Sequence, residues 1–438
     1  MNQKVQWRGL AVLLVLVFSA TVQAESPVVD WVRQVDSTGV ENDWDFGWDV
    51  TVDSGGNSYV TGFTLGSFDG NPNQGGMDTF LMKYDTNGNQ VWVKQMGLAV
   101  GDRGLGVEID SNDNVYLTGG NESTGMFLMK YNTNGDWQWT QELGTAGDSS
   151  GYSVSVDGSN NVYVTGWTTG DLYGSNQGGI DTFLAKYSSN GTQQWVRQLG
   201  TAGEDLSYGI SVDANGNAYV TGYTDADLGG TNQGGLDIFL TKYDTNGDQQ
   251  WVRQLGTDAY ERGYGVSVDS NGNAYVTGDS YGDLDGNTPL GNQDMFLVKY
   301  DTNGDKQWTK LIGTDKRDVG YGVSIDDYDN VYVAGHSYSD PYNNADVLLV
   351  KYDENGIEQW TKKFGSESGD FCWDVAVEGD GTAYVTGPTG GSFEEGHPEA
   401  GHLDIFLAKV SVVPEPSTLA LLAGAAVMGL LYFRRKRG

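Results

Sequence analysis

Four short strand-like runs, repeated as a unit seven times, constrain this chain more than any other feature. From Tyr208 to Gly256 the sequence reads YGISVDANGNAYVTG, then a loop ending NQGGLD, then IFLTKYDTNGDQQWVRQLG. Alternating, β-branched and aromatic residues fill the runs. A tight Gly/Asn/Asp turn and a long polar loop separate them in turn, which is the pattern of a four-stranded antiparallel meander. The Trp run recurs at Trp31, Trp92, Trp139, Trp195, Trp251, Trp308 and Trp360, with spacings of 47 to 61 residues. The Tyr run recurs at Tyr59, Tyr116, Tyr163, Tyr219, Tyr275, Tyr332 and Tyr384, and the Lys of a third run at Lys83, Lys130, Lys186, Lys242, Lys299, Lys351 and Lys409. This period predicts an all-β fold, a seven-bladed β-propeller of four-stranded antiparallel blades.

The two ends predict how the ring closes. The chain opens with a lone Trp strand at Trp31 and finishes its repeats with the Lys409 strand, which no Trp strand follows. The N-terminal strand is therefore expected to complete the last blade and leave no open sheet edge. Within a blade the Gly-x-Val-x-Val-Asp run, strand A, is placed innermost, followed outwards by the Tyr run (B), the Lys run (C) and the Trp run (D). Alternation puts Tyr264, Val266 and Val268 on one face of strand A and Gly265 and Ser267 on the other. The strand C Lys is expected to bury its stem and meet a carboxylate from another strand. The A–B and C–D turns are short and uniform, and their D-x-N-G spacing lacks the remaining ligands of an EF-hand loop. The D–A and B–C connections are long and uneven and fall on one face of the disc, where binding is expected.

Composition bounds the partners. With 25 Lys and Arg against 59 Asp and Glu the formal charge is −34. Nucleic acid and anionic membrane surfaces are poor partners for such a field; cations, and polymers bridged by them, are better ones. Cys372 is the only cysteine, so no internal disulfide forms. Lys4 and Arg8 precede an apolar run from Leu10 to Ala20, and Val22-Gln23-Ala24 supplies a small-x-small site, which predicts a secretory signal over residues 1–24. Residues 25–412 are assigned to the propeller. In residues 413–438, Pro414-Glu415-Pro416 precedes an apolar run from Leu419 to Phe433 and a basic cluster that begins Arg434-Arg435. That run is short for a permanent span, and its basic end would stay in the cytoplasm.

Three constellations on the loop face are candidates for chemistry. A carboxylate stands three residues before the residue that opens strand A in six blades: Asp45, Asp102, Asp205, Glu261, Asp318 and Asp370, with Ser149 in blade three. These six are expected either to ring the mouth of the central channel and hold calcium through oxygen ligands, or to cap their own loops. An N-Q-G-G-x-D run begins at Asn73, at Asn176-Gln177 and at Asn232-Gln233. With Phe63, Trp167, Tyr223 and Tyr281 it offers amides and ring faces suited to sugars, or else it stiffens the loops. His336, His397 and His402 are placed in B–C loops of the last two blades, the latter pair near Glu394, Glu395 and Glu399, a weak transition-metal pattern. No Ser-His-Asp signature, phosphate loop or Cys-His cluster occurs.

Two resemblances add to this reading. Pro414-Glu415-Pro416, the short apolar segment and the basic tail resemble the PEP-CTERM sorting signal of Gram-negative bacteria. That resemblance implies handling by an exosortase-type sorting enzyme, a transient inner-membrane anchor, removal of the tail, and delivery to the outer surface or an exopolysaccharide matrix. GNAYVTGYT, DIFLTKYDTNG and QQWVRQLG resemble the SBBP-type β-propeller repeats of bacterial surface and secreted proteins, which supports the fold and implies little about activity. Blade two departs from the pattern: its B–C loop shrinks to Gly120-Asn121-Glu122-Ser123-Thr124-Gly125 and it lacks the Asp before strand C. The expected function is that of an exported, non-enzymatic binding or structural propeller, with extracellular polysaccharide or a surface protein as partner. The alternative is a carbohydrate-active enzyme, a lyase or hydrolase, using loop-face carboxylates and His. Evenly repeated polar residues favour the binder.

Overall fold

Tight Asp-x-x-Gly turns and alternating strands give seven four-stranded antiparallel sheets. The computed structural model describes residues 25–38, 44–68, 70–97, 100–144, 149–339, 344–393 and 403–414. In blade four, strand A is Asp205–Val212, B is Ala218–Thr224, C is Asp237–Tyr243 and D is Gln249–Leu255, in that order across the sheet. The seventh sheet breaks chain order: Asp374–Val377, Ala383–Thr389 and Asp404–Pro414 are followed by Glu25–Val35 as the outermost strand. The expected closure is thus present. The described residues hold no α-helix, only a 3-10 turn at Leu284–Gly286.

Most of the turns are built by an aspartate. Asp213 accepts hydrogen bonds from the amides of Asn215 and Asn217, both at 2.9 Å, while Gly216 takes φ of +80°, a conformation costly for any residue with a Cβ. The repeated carboxylate is therefore spent on backbone donors. Strand B is buried on both faces because a neighbouring blade covers each of them. The residues that recur in the sequence meet in one cluster per blade. In blade three the Tyr163 hydroxyl lies 3.2 Å from Asp157, the Lys186 ammonium 3.9 Å from the same carboxylate and 4.7 Å from the Tyr163 ring centroid, and Trp195 meets Tyr163 edge-on at 5.9 Å. Lys186 also donates to the Thr245 hydroxyl at 2.8 Å, in the next blade's C–D turn, so the cluster joins blades as well as strands.

Strand A departs from simple alternation. A bulge between Gly263 and Gly265 leaves Tyr264 without a partner in strand B, and the same slip recurs at Trp48, Tyr152, Tyr208 and Tyr321. The bulge turns these rings into the channel, so Tyr264 does not continue the face of Val266. A Cβ on Gly265 would stand 2.5 Å from the Tyr321 carbonyl oxygen of the next blade, which is why glycine follows the aromatic where strands crowd the axis.

Candidate binding site on the loop face

The six carboxylates at the entrance of strand A, five of them its first residue, do not ring the channel mouth. Asp45, Asp205, Glu261, Asp318 and Asp370 are 0 % exposed and Asp102 is 6 % exposed. Each turns back to its own blade. Asp205 accepts from the amide and hydroxyl of Thr201 at 2.6 and 2.7 Å, Asp318 from the same groups of Thr314 at 2.7 and 3.1 Å, and Glu261 from the Thr257 hydroxyl at 2.8 Å. Asp45 accepts from the Ser37 amide, Asp370 from the Ser366 hydroxyl, and Asp102 from the Asn121 amide group. Burial raises the pKa of Asp205, Glu261 and Asp370. They act as loop caps, and among the described residues no three His, Cys, Asp or Glu side chains converge to hold calcium or another metal.

The amide loops are likewise internally bonded. The Asn176 carbonyl oxygen accepts from the Gly178 amide at 2.8 Å and Asn232 from Gly234 at 2.8 Å, while Gln177 and Gln233 donate backbone amides to Asp181 and Asp237, each at 2.9 Å. The side-chain amides of Gln177 and Gln233 donate to Ser175 and Thr231 carbonyls. These four residues stiffen the loops, and Gln177 and Gln233 leave only part of their hydrogen-bonding capacity free. His336 is not in a loop. It lies in strand B, Val331–Tyr338, 4 % exposed against Tyr321 and Phe371, and burial lowers its pKa to about 4, so the imidazole is neutral. His397, His402, Glu415, Pro416, Arg434, Arg435 and the residues of the expected signal lie outside the described residues, and Pro414 ends the last strand.

The four aromatics separate. Tyr223 packs on Tyr208 at 6.1 Å, and Tyr281, 42 % exposed, stands over blade five. Phe63 and Trp167 come together, facing each other across blade two. Because the B–C loop of that blade is only a turn, a hollow of about 320 Å³ opens between blades one and three. Trp48, Phe63, Tyr152 and Trp167 wall it, with Arg103 and Glu122 at its edge. Arg103 extends over the Phe63 ring at 5.9 Å and its Nε meets Met77 Sδ at 3.3 Å. An apolar basin of ring faces with a few polar groups at the rim is the arrangement that holds a sugar ring by stacking and orients it by hydrogen bonds. The departure of blade two, visible in the sequence as a missing loop, is what makes this space.

The central channel holds a second set of groups that the repeat pattern hid. Trp48, Tyr152, Tyr208, Tyr264, Tyr321 and Trp373 form an aromatic belt, with ring centroids 4.5 Å apart for Trp48 and Trp373 and 4.6 Å for Tyr264 and Tyr321. The channel cavity of about 400 Å³ is also lined by Asp49, Glu108 and Asp374. Asp49 and Asp374 replace the residue that is glycine in four of the other blades, and they hydrogen-bond each other across the junction of blades one and seven. Asp49 also accepts from the Val107 amide at 2.7 Å. Burial, then the neighbouring Asp374, drives the Asp49 pKa well up, so the pair holds a proton. Glu108 is pushed to about 7, chiefly by burial and then by the Asp49 charge, against the hydrogen bond it accepts from Ile109.

Fold and site together define an all-β propeller with an aromatic hollow and an irregular rim on its loop face. The comparisons with known proteins agree on the fold. Residues 138–174, 194–229, 250–285 and 307–343 match the SBBP beta-propeller repeat, and residues 412–437 match the PEP-CTERM protein-sorting motif, which marks the chain for export and for recognition by an exosortase-type enzyme. Each matched stretch spans a strand D and the next blade's strands A and B, so the repeat is offset from the blade by one strand. Regulatory protein FlaEY of Caulobacter vibrioides is 30 % identical over 243 residues, 47 % of this chain and 25 % of that protein. An uncharacterized WD repeat-containing protein of Acanthamoeba polyphaga mimivirus is 23 % identical over 287 residues, 54 % of this chain and 18 % of that protein. The chain thus spans a quarter or less of these relatives. The WD40 domain of Neurospora crassa Pan2 superimposes with a TM-score of 0.52 at 8 % identity, covering 89 % of this chain and 96 % of that one, a likeness of fold alone. A polysaccharide lyase, an ulvan lyase, aligns with a TM-score of 0.49 at 12 % identity over 81 % of this chain and 93 % of that one.

Proposed function

We propose that this protein is a non-enzymatic binding module of the outer surface or extracellular matrix of a Gram-negative bacterium, and that its loop face holds an extracellular polysaccharide. The observation that carries this reading is the hollow over blade two, where Trp48, Phe63, Tyr152 and Trp167 surround about 320 Å³. Such a volume accommodates one sugar residue of a longer chain, and the flat, open rim lets the polymer continue on either side. The sorting motif supports the setting. After export the chain would be held at the inner membrane by residues 413–438 and released from it by the sorting enzyme.

A second reading, a lyase or hydrolase, draws on the channel. The loop-face carboxylates are buried and accept bonds within their own blades, and His336 is buried among aromatic rings, but Asp49, Asp374 and Glu108 have the raised pKa values that acid-base work needs. One experiment separates the two readings. The full chain in neutral detergent is passed over immobilised acidic and neutral polysaccharides, and the eluates are assayed for new reducing or unsaturated ends. Retention without cleavage, lost on Trp167→Ala, supports the binding module. Turnover that survives Trp167→Ala and disappears on Asp49→Asn replaces it with the enzyme.

A further inference from the structure

Six arginines fall among the described residues, and they divide by position. Arg33, Arg197 and Arg253 occupy the same place in strand D and donate to carbonyls of the next blade's C–D turn, as Arg197 does to Gly247 at 2.7 Å and Asn246 at 3.0 Å. These belong to the repeated scaffold. Arg103, Arg262 and Arg317 do not recur. All three stand where strand A begins on the loop face, and Arg103 and Arg262 fill a position that is Phe46, Ser150, Leu206, Val319 and Phe371 elsewhere. Acidic residues outnumber basic ones 59 to 25, yet none of these three forms an ion pair with a described carboxylate.

Arg262 and Arg317 are brought to one place by a buried relay. Gln293 accepts from Arg317 Nε at 2.9 Å and donates to Asp279 at 2.7 Å. Asp279, 0 % exposed, stands opposite Arg262 in the strand register, at the position of Phe63, Trp167 and Tyr223 in other blades. The Arg317 guanidinium lies 4.7 Å over the Tyr338 ring, and exposed Tyr281 sits in the field of both arginines. Arg317 is thus oriented through Nε alone, and its Nη groups donate to nothing among the described residues. A guanidinium held in this way presents its outer fork to a planar or tetrahedral anion. Glu261 and Asp318, the chain neighbours of these two arginines, are 0 % exposed and turned to their own loops, so neither pairs with a guanidinium.

We propose that Arg262 and Arg317 form a subsite for an anionic group, a carboxylate or a sulfate ester, of a polysaccharide lying across the loop face, and that Arg103 at the hollow takes a second such group. This rests on the binding reading above and names the ligand's class: an acidic polysaccharide. Tyr152, Tyr208, Tyr264 and Tyr321, with successive centroids 5.0, 5.0 and 4.6 Å apart, supply a continuous aromatic arc between the two ends.

The test uses the full chain in neutral detergent with polygalacturonate, dextran sulfate, dextran and polyglutamate, each immobilised, at about 0.15 M salt. The wild type is expected to bind polygalacturonate or dextran sulfate, and the one it prefers tells carboxylate from sulfate recognition. Arg262→Gln with Arg317→Gln should weaken that binding about tenfold or more, with dextran binding unchanged. Arg317→Gln alone, at an exposed site, should weaken it several-fold with an unaltered melting temperature. Equal binding by wild type and arginine variants overturns the proposal, as does polyglutamate binding as tight as that of the acidic sugars. Binding lost on Trp167→Ala but not on the arginine changes sinks the subsite and leaves the hollow standing, and the converse sinks the hollow alone. A wild type that binds none of the four polymers sinks both.

Discussion

Glu108 offers the sharpest test of the channel electrostatics. It occupies a position that is Thr51, Ser155, Ser211, Ser267, Ser324 and Ala376 in the other blades, and its pKa is pushed from 4.5 to about 7. Glu108→Gln keeps an oxygen for the Ile109 amide at 2.8 Å and the Thr51 hydroxyl at 3.2 Å while removing the charge. That rise corresponds to a ceiling of about 3 kcal/mol. The side chain lines a water-accessible cavity, so screening brings the expected effect to about 1–2 kcal/mol. The folded state binds this proton more tightly than the unfolded state. Below pH 4.5 both states are protonated and the glutamate costs nothing; the cost grows between pH 4.5 and 7 and is complete above pH 7. Urea unfolding of the two proteins should therefore coincide at pH 4, with the variant more stable by about 1–2 kcal/mol at pH 8. A difference independent of pH, or a variant less stable at pH 8, would refute the assignment of a strained acid at this wall.

Two further outcomes follow from the contacts between blades. Lys186→Met removes two bonds to Thr245 and the Asp157 pair, but Asp157 keeps donors from Ser159, Asn161 and Tyr163, so chemical denaturation should show a loss of about 1–3 kcal/mol rather than the larger cost of an orphaned charge. Lys242→Met should lose less, because that ammonium, which lies over the Tyr219 ring as Lys186 does over Tyr163, donates only to the Thr302 carbonyl at 3.4 Å and has no ion pair among the described residues; equal losses would contradict the role given to Thr245. Gln34→Ala breaks bonds to Asp404 at 2.6 Å, Gly391 at 2.9 Å and Phe393 at 3.0 Å. It should cost about 2–4 kcal/mol and make residues 25–38 the first site of proteolysis, whereas Gln198→Ala, the same change inside blade three, should destabilise without freeing that strand.

The fold was legible because it is written seven times. A propeller's blades share one set of neighbours, so Tyr163, Lys186 and Trp195 have counterparts that report the same packing in every copy, and the N-terminal strand shows its place by lacking a blade of its own. The site was legible only where repetition failed visibly, as in the shortened loop of blade two. Six carboxylates at one spacing suggested a metal ring, but equal spacing along the chain says nothing about which way a side chain turns at a strand start, and there the Thr201 and Thr314 amides and hydroxyls claim them. In the sequence Tyr281 stands with Phe63, Trp167 and Tyr223, yet the residue of blade five in register with Phe63 and Trp167 is Asp279. A search for like residues passes over the acid that replaces one.

That substitution points to a general property of the molecule. At the start of strand A and the end of strand B, the ladder hydrogen bonds are made whatever the side chain: Arg262 pairs with Asp279, Phe46 with Phe63, Ser150 with Trp167 and Val319 with His336 in the same register. The blade therefore does not choose these residues. Within strand A, by contrast, a Cβ on Gly209 or Gly265 would stand 2.6 or 2.5 Å from a carbonyl oxygen of the next blade, so in these blades the position cannot change without moving a neighbouring strand. Stability is consequently carried near the axis and in the turns, while the loop-side rim is where side chains differ from blade to blade. Arg103, Trp167 and Arg262 lie on that rim, where the strand ladder places no demand on the side chain, whereas Asp279 beside them is buried and held by Gln293.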